Sequence, residues 1–174
     1  MELTKLILGC GHFKKSLFYS KESIDTFTVV TLDINPTLEP DIVWDLNYRP
    51  LPFPTDSFDV IEACDVLEHI GKQGDYKSFF EEFHEYWRIL KPNGCICGIC
   101  PAPDSIWAWG DPGHTRIIND GTIVFLSHEK YDEQSKVGTP MSDYKYLLGE
   151  TNFHIDNSYY TDNKQFIFVL RAIK

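Results

Sequence analysis

No apolar run in this sequence approaches the ~18 residues of a membrane-spanning helix, so no span is expected. Nor does a basic stretch lead into a long apolar segment and a cleavage site. A secretory leader is therefore not expected, and the cytoplasm is the expected location. Positive charge is scarce: 16 Lys and Arg stand against 26 Asp and Glu, for a net charge of −10. The longest basic run is Lys14-Lys15. A duplex-binding surface is usually basic, so free duplex nucleic acid is a poor expected partner. Cysteine pairs with zinc-finger spacing are missing. The five cysteines are Cys10, Cys64, Cys95, Cys97 and Cys100, an odd count that argues for free thiols. On a strand Cys95 and Cys97 share one face, with Cys100 on the other or past the strand end. They read as small structural hydrophobes, and no metal site is expected. Internal repeats and low-complexity tracts are also missing.

What is present is enough apolar material for one core. The chain has 174 residues, 43 % hydrophobic and 14 % aromatic, which is the range of one globular domain over 1–174. Its most telling segment is LILGCG at 6–11 followed by VVTLDIN at 29–35. An apolar strand runs into the turn Gly9-Cys10-Gly11, and a second apolar run ends in Asp33. Glycines let a backbone approach a ligand, and a carboxylate at the end of the next strand can accept ribose hydroxyls. Asp33 lies near the ~20-residue spacing typical of nucleotide-binding βαβ units. The pattern alone does not say which nucleoside.

The rest of the chain alternates in kind. Lys5–Leu8, Thr28–Leu32, Asp41–Trp44, Phe58–Ala63 and Cys95–Cys100 read as strands. The link 35–40 is too short for a crossover helix, which needs a dozen residues or so. Residues 14–26 suggest a short helix at best. Residues 75–90 give the clearest helix, with Asp75 as N-cap and Tyr76, Phe79, Phe80, Phe83, Tyr86, Trp87 and Leu90 in one stripe. Lys91-Pro92-Asn93-Gly94 is expected to stop it. Residues 101–118 read as a long functional loop, and 120–134 and 142–149 as helices. Phe153–Tyr160 and Gln165–Arg171 read as an antiparallel hairpin. The sum is an open α/β sheet with a mostly parallel core. Glu81-Glu82 and Glu129-Lys130 are expected on solvated faces.

Four blocks together resemble a family: LILGCG at 6–11, VTLDIN at 30–35, DLNYRPLPFPTDSFDVIEACDVLEHI at 45–70 and EYWRILKPNG at 85–94. The chain is similar to class I S-adenosylmethionine-dependent methyltransferases. The resemblance covers residues 3–100 best, is looser over 101–152, and returns in the final hairpin. It implies a Rossmann-like fold whose mostly parallel sheet ends in an antiparallel hairpin, here with some helices shortened. It implies S-adenosyl-L-methionine as cofactor, with Gly9, Cys10 and Gly11 lining its methionine part. Asp33 would bind the ribose diol, with Ile34 beside it. Asp45 would receive the adenine amino group and Leu46 would donate a backbone N–H. Asp65, with Cys64 and Val66, would sit near the sulfonium. From the residues alone, Asp33 could also cap or turn the chain, and Asp45-Leu46-Asn47 could simply start a turn.

Two positions depart from the family pattern. Ile7 stands where an acid is common, and Phe13 where a third glycine is usual. Lys14 or Lys15 could then supply the charge for the cofactor carboxylate. These departures keep two other readings open: a catalytically degenerate methyltransferase fold acting as a binding or scaffold protein, and an NAD(P)-binding Rossmann enzyme.

Methyl transfer from a sulfonium is an in-line displacement that needs position, a dry pocket and, for a protonated acceptor, a base. The catalytic candidates are His69 and His114, each also readable as structural. Residues 101–152 form the expected lid and substrate segment, with Trp107 and Trp109 available to stack on a planar acceptor. The acceptor is a small molecule, sugar, nucleotide or protein side chain.

Overall fold

The computed structural model describes residues 3–12 and 27–174. Phe13, Lys14, Lys15 and the short helix considered within 14–26 lie outside the described residues.

Seven strands form one sheet in the order β3-β2-β1-β4-β5-β7-β6. The strands are β1 (Leu3–Leu8), β2 (Phe27–Asp33), β3 (Ile42–Val43), β4 (Phe58–Cys64), β5 (Leu90–Pro101), β6 (Phe153–Tyr160) and β7 (Gln165–Ala172). The first five pair in parallel, and β7 runs antiparallel between β5 and β6. This is the expected α/β architecture with a closing hairpin. The apolar runs that read as strands are buried on both faces: Leu6, Leu8, Leu32, Ile61, Ala63 and Ile96 on one, and Ile7, Val60 and Cys97 on the other.

The order reverses direction between β1 and β4, which start their separate halves of the sheet. Ligands bind outside the carboxyl ends of strands at such a switch point. Strand exits at Leu8, Asp33 and Cys64 therefore converge on one edge.

The short link after β2 holds only a 3-10 turn, Pro36–Leu38, capped by Asn35. It leads directly to β3, which pairs parallel with β2 at Leu32↔Ile42. A crossover helix has been reduced to one turn. Helix α1 (Tyr76–Ile89) is capped by Asp75 through the Ser78 N–H and buries Phe80, Phe83, Tyr86 and Ile89. It ends at Ile89 rather than in the Pro-Asn-Gly segment, because β5 already begins at Leu90. Pro92-Asn93-Gly94 instead lies in β5, where its pairing with β4 shifts register between Phe58 and Val60. Cys100 accordingly sits on β5 and is buried.

Glu82 corrects one expectation. It is 1 % exposed, on the inner face of α1, and holds Arg116 in a two-pronged ion pair with both oxygens at 2.8 Å. The partner lies 34 residues downstream, so no local pattern marks this acid as internal.

The segment 101–118 is less irregular than expected, since Ser105 caps a short helix, α2 (Ile106–Gly110). The stretch 120–134 is broken into α3 (Asp120–Ile123), a 3-10 turn and α4 (His128–Val137). Ser127 causes the break: it is extended and its hydroxyl caps α4 through the Lys130 N–H. Helix α5 (Lys145–Leu148) is the remnant of the 142–149 reading. Among the described residues no helix is long and apolar enough to cross a membrane.

Candidate cofactor and acceptor site

The turn after β1 is built by two left-handed glycines, Gly9 at φ 56° and Gly11 at φ 51°. A Cβ on Gly9 would stand 2.4 Å from Val66 Cγ2, so this position requires glycine for space as well as for conformation. Among the described residues, a Cβ on Gly11 would meet nothing within 4 Å. Asp33 turns back to this bend: its carboxylate accepts the Gly11 N–H at 2.9 Å and the Asn35 N–H at 2.9 Å. A carboxylate has about four lone-pair directions, so capacity for hydroxyl donors remains.

Gly9, Asp33, Ile34, Asp45, Leu46, Asp65 and Val66 line one cavity of about 330 Å³, with Trp44 and His69 in its wall. The structure thus brings seven of the nine expected cofactor residues into a single crevice. The remaining two, Cys10 and Gly11, are the adjoining turn, with Cys10 buried and donating its N–H to the Leu32 carbonyl. Asp45 also makes the turn that was the rival reading, accepting the Asn47 backbone N–H at 2.9 Å and its side-chain amide at 3.0 Å. Ile34 is 62 % exposed, an apolar side chain bare at the crevice rim.

A second cavity, of about 510 Å³, adjoins the first and shares Asp65 and His69 with it. Its wall includes Glu68, Trp107, Asp111 and His114. The two candidate histidines meet edge-to-face with ring centroids 4.5 Å apart. Their loop is pinned from below. Arg116 is buried, donates to the Leu67 carbonyl at 2.8 Å and pairs with Glu82, which also accepts from the Tyr86 hydroxyl. Thr115 donates to the Glu68 carbonyl through both its N–H and its hydroxyl. Within the Asp111–Arg116 run, then, His114 faces the cavity while Arg116 anchors the loop.

Burial and neighbouring charge set the electrostatics. Burial pushes the Glu68 carboxyl up to about 7, with the Asp65 charge adding and His114 opposing. Burial also raises Asp65, countered in part by His114 and His69. Burial and the charges of Glu62, Asp65 and Glu68 push the Cys64 thiol up to about 12. Cys100 is likewise pushed well above the ordinary thiol value by burial. Thiols so raised stay protonated and unreactive, and none of the five cysteines forms a disulfide.

Glu68 was missed in the sequence. Its only signal is an acid inside the apolar run Val66-Leu67-Glu68-His69-Ile70. Lys164 and Gln165, also in the wall of the second cavity, arrive from the hairpin turn and carry no local mark.

A glycine bend facing two strand-end acids across one crevice defines a Rossmann-like nucleoside-cofactor fold. A model of the methyltransferase domain matches residues 6–98, more than half of the chain, and the chain belongs to that family. Solved structures agree in fold. A SAM-dependent methyltransferase from Methanosarcina mazei is 18 % identical with a TM-score of 0.58, over 99 % of this chain and 94 % of its own. One from Mesorhizobium loti is 15 % identical with a TM-score of 0.59, over 98 % and 91 %. One from Aquifex aeolicus is 14 % identical with a TM-score of 0.57, over 99 % and 83 %. No curated protein matches the sequence significantly. The chain thus carries a methyltransferase domain.

Proposed function

We propose that this enzyme binds S-adenosylmethionine in the crevice between Gly9 and Asp45 and methylates an acceptor held in the adjoining cavity. One observation carries the reading: Asp65 and His69 line both cavities, so a sulfonium near Asp65 would face an acceptor across a shared wall. In this arrangement Gly9, Cys10 and Gly11 cradle the methionine part. Asp33 takes the ribose hydroxyls, and Ile34 covers one face of the adenine. Asp45 receives the adenine amino group and the Leu46 N–H donates to the ring. His69 and His114 meet the nucleophilic atom of the acceptor.

The protein's task is then placement. Fixing the acceptor in line with the methyl–sulfur bond replaces a bimolecular encounter, a gain of up to ~7–11 kcal/mol in favourable cases. The second cavity suits an acceptor of modest size, or one exposed group of a larger molecule.

Titration calorimetry with S-adenosylhomocysteine and with NAD tests the cofactor half. Binding of the former alone is expected, and preference for NAD would overturn the assignment. Transfer of a labelled methyl group to a panel of alcohols, amines and carboxylates then tests the acceptor half.

A further inference from the structure

The second cavity contains a polar cluster that the cofactor residues leave unused. Glu68, His69 and His114 each offer one ligand atom, and these lie within 4.8 Å of one another. Glu68 is 2 % exposed, yet neither carboxylate oxygen has a well-formed hydrogen bond among the described residues; its nearest donors are its own backbone N–H and the weak Cys100 thiol. A buried carboxylate with no strong donor is costly unless something positive compensates it. The nearby cations are committed elsewhere: Arg116 to Glu82 and Lys164 to Asp104. Asp65 and Asp111 line the same cavity and deepen the negative field.

The spacings fit a shared ion better than hydrogen bonds. His114 Nε2 lies 3.9 Å from Glu68 Oε1 and 3.9 Å from Asp111 Oδ2, too far for hydrogen bonding. Two ligands of a tetrahedral ion held at about 2.1 Å stand roughly 3.4 Å apart, so a small closure would suffice. His69 Nδ1 donates to the Gly113 carbonyl at 3.1 Å. That contact orients a ligating imidazole and leaves Nε2 its lone pair.

We propose that Glu68, His69 and His114 bind a divalent transition-metal ion, with one position open to the acceptor. Two imidazoles and a carboxylate suit Zn²⁺ or Mn²⁺, whereas Mg²⁺ and Ca²⁺ favour all-oxygen sites. What the ion does rests on the methyltransferase reading; that it binds does not. An open position beside the cofactor favours a hydroxyl acceptor. The ion lowers the pKa of the bound hydroxyl, whose proton leaves to water. The oxygen's electron pair forms the bond to the methyl carbon as the carbon–sulfur bond breaks. The bonding pair of the broken carbon–sulfur bond stays on sulfur, giving the neutral thioether product S-adenosylhomocysteine.

The test uses chelator-stripped full chain with ZnCl₂, MnCl₂ or CoCl₂ in equilibrium dialysis. One Zn²⁺ or Mn²⁺ per chain is expected, weakened at least tenfold by Glu68→Gln and by His69→Ala. Both variants should keep the parent's far-UV circular dichroism and a single cooperative unfolding transition, which shows that they are folded. The Co²⁺ form should show ligand-field bands without thiolate charge transfer. Failure of the parent to bind Zn²⁺ and Mn²⁺, unchanged affinity in both variants, or a thiolate band (placing the ion on Cys64) would overturn the proposal. Ion binding without S-adenosylhomocysteine binding would leave the metal site standing and sink the cofactor reading instead.

Discussion

Asp33 at the end of β2 accepts the backbone N–H of Gly11 at 2.9 Å, tying the second strand to the turn after the first. One carboxylate thus shapes the bend and, in the proposed function, grips the ribose. Asp33→Ala is expected to weaken S-adenosylhomocysteine binding at least tenfold, about 1.4 kcal/mol. Unchanged affinity by titration calorimetry would refute the role.

Gly9→Ala should be costly even without ligand. The new methyl meets Val66 at 2.4 Å in a left-handed backbone, combining overpacking with conformational strain. A loss of roughly 2–4 kcal/mol is expected, seen as a Tm drop of about 5–15 °C at ~2–4 °C per kcal/mol. Gly11→Ala, which meets nothing within 4 Å among the described residues, should cost less and act mainly through its φ.

Lys5 and Glu62 form an ion pair at 2.7 Å between β1 and β4, each about 1 % exposed. Removing one partner leaves the other's buried charge without this ion pair. Lys5→Met alone should destabilise by about 3–5 kcal/mol, whereas adding Glu62→Leu should recover most of it. Denaturant unfolding of both variants decides; equal losses in single and double variants would contradict the expectation.

Acid stability should depend on Glu85. Burial raises its carboxyl, but hydrogen bonds from Arg88 and the Leu51 N–H outweigh this and hold it below the ordinary value. A depressed folded pKa means the stabilisation is present in full above the usual ~4.3 and is lost as pH falls through the folded value. Glu85→Gln should therefore lower Tm at pH 7 and flatten the Tm–pH curve below about pH 4.5. The arms of Arg88 also hold the Phe53 and Leu51 carbonyls, so faster proteolysis of the 49–54 connector should accompany the change.

The first cavity's glycine bend and strand-end acids could be read in the sequence because their signals are local. Gly9, Gly11 and Asp33 sit at strand ends whose apolar runs announce them, and Asp45 follows a short strand in the same way. The second cavity was legible only in its two histidines, because Glu68, Lys164 and Gln165 join them only through the fold. His69 and His114 meet across 45 positions of chain, and Lys164 reaches them because β7 returns antiparallel to β5. Glu82 was misplaced for the same reason. An acid next to Glu81 looks solvated until Arg116 is known to sit beneath it. The stretch 120–134 has helical composition throughout, but Ser127 spends its hydroxyl on capping α4 and so splits the helix.

Trp44 stands in the wall of one cavity and Trp107, 66 % exposed, in the wall of the other. The enzyme therefore carries a native fluorophore at each station of the proposed reaction. With Trp87 and Trp109 also replaced by Phe, emission from a Trp44→Phe form would follow arrival of the acceptor, and emission from a Trp107→Phe form the loading of the nucleoside. The order in which the two ligands assemble can be timed without attaching a dye.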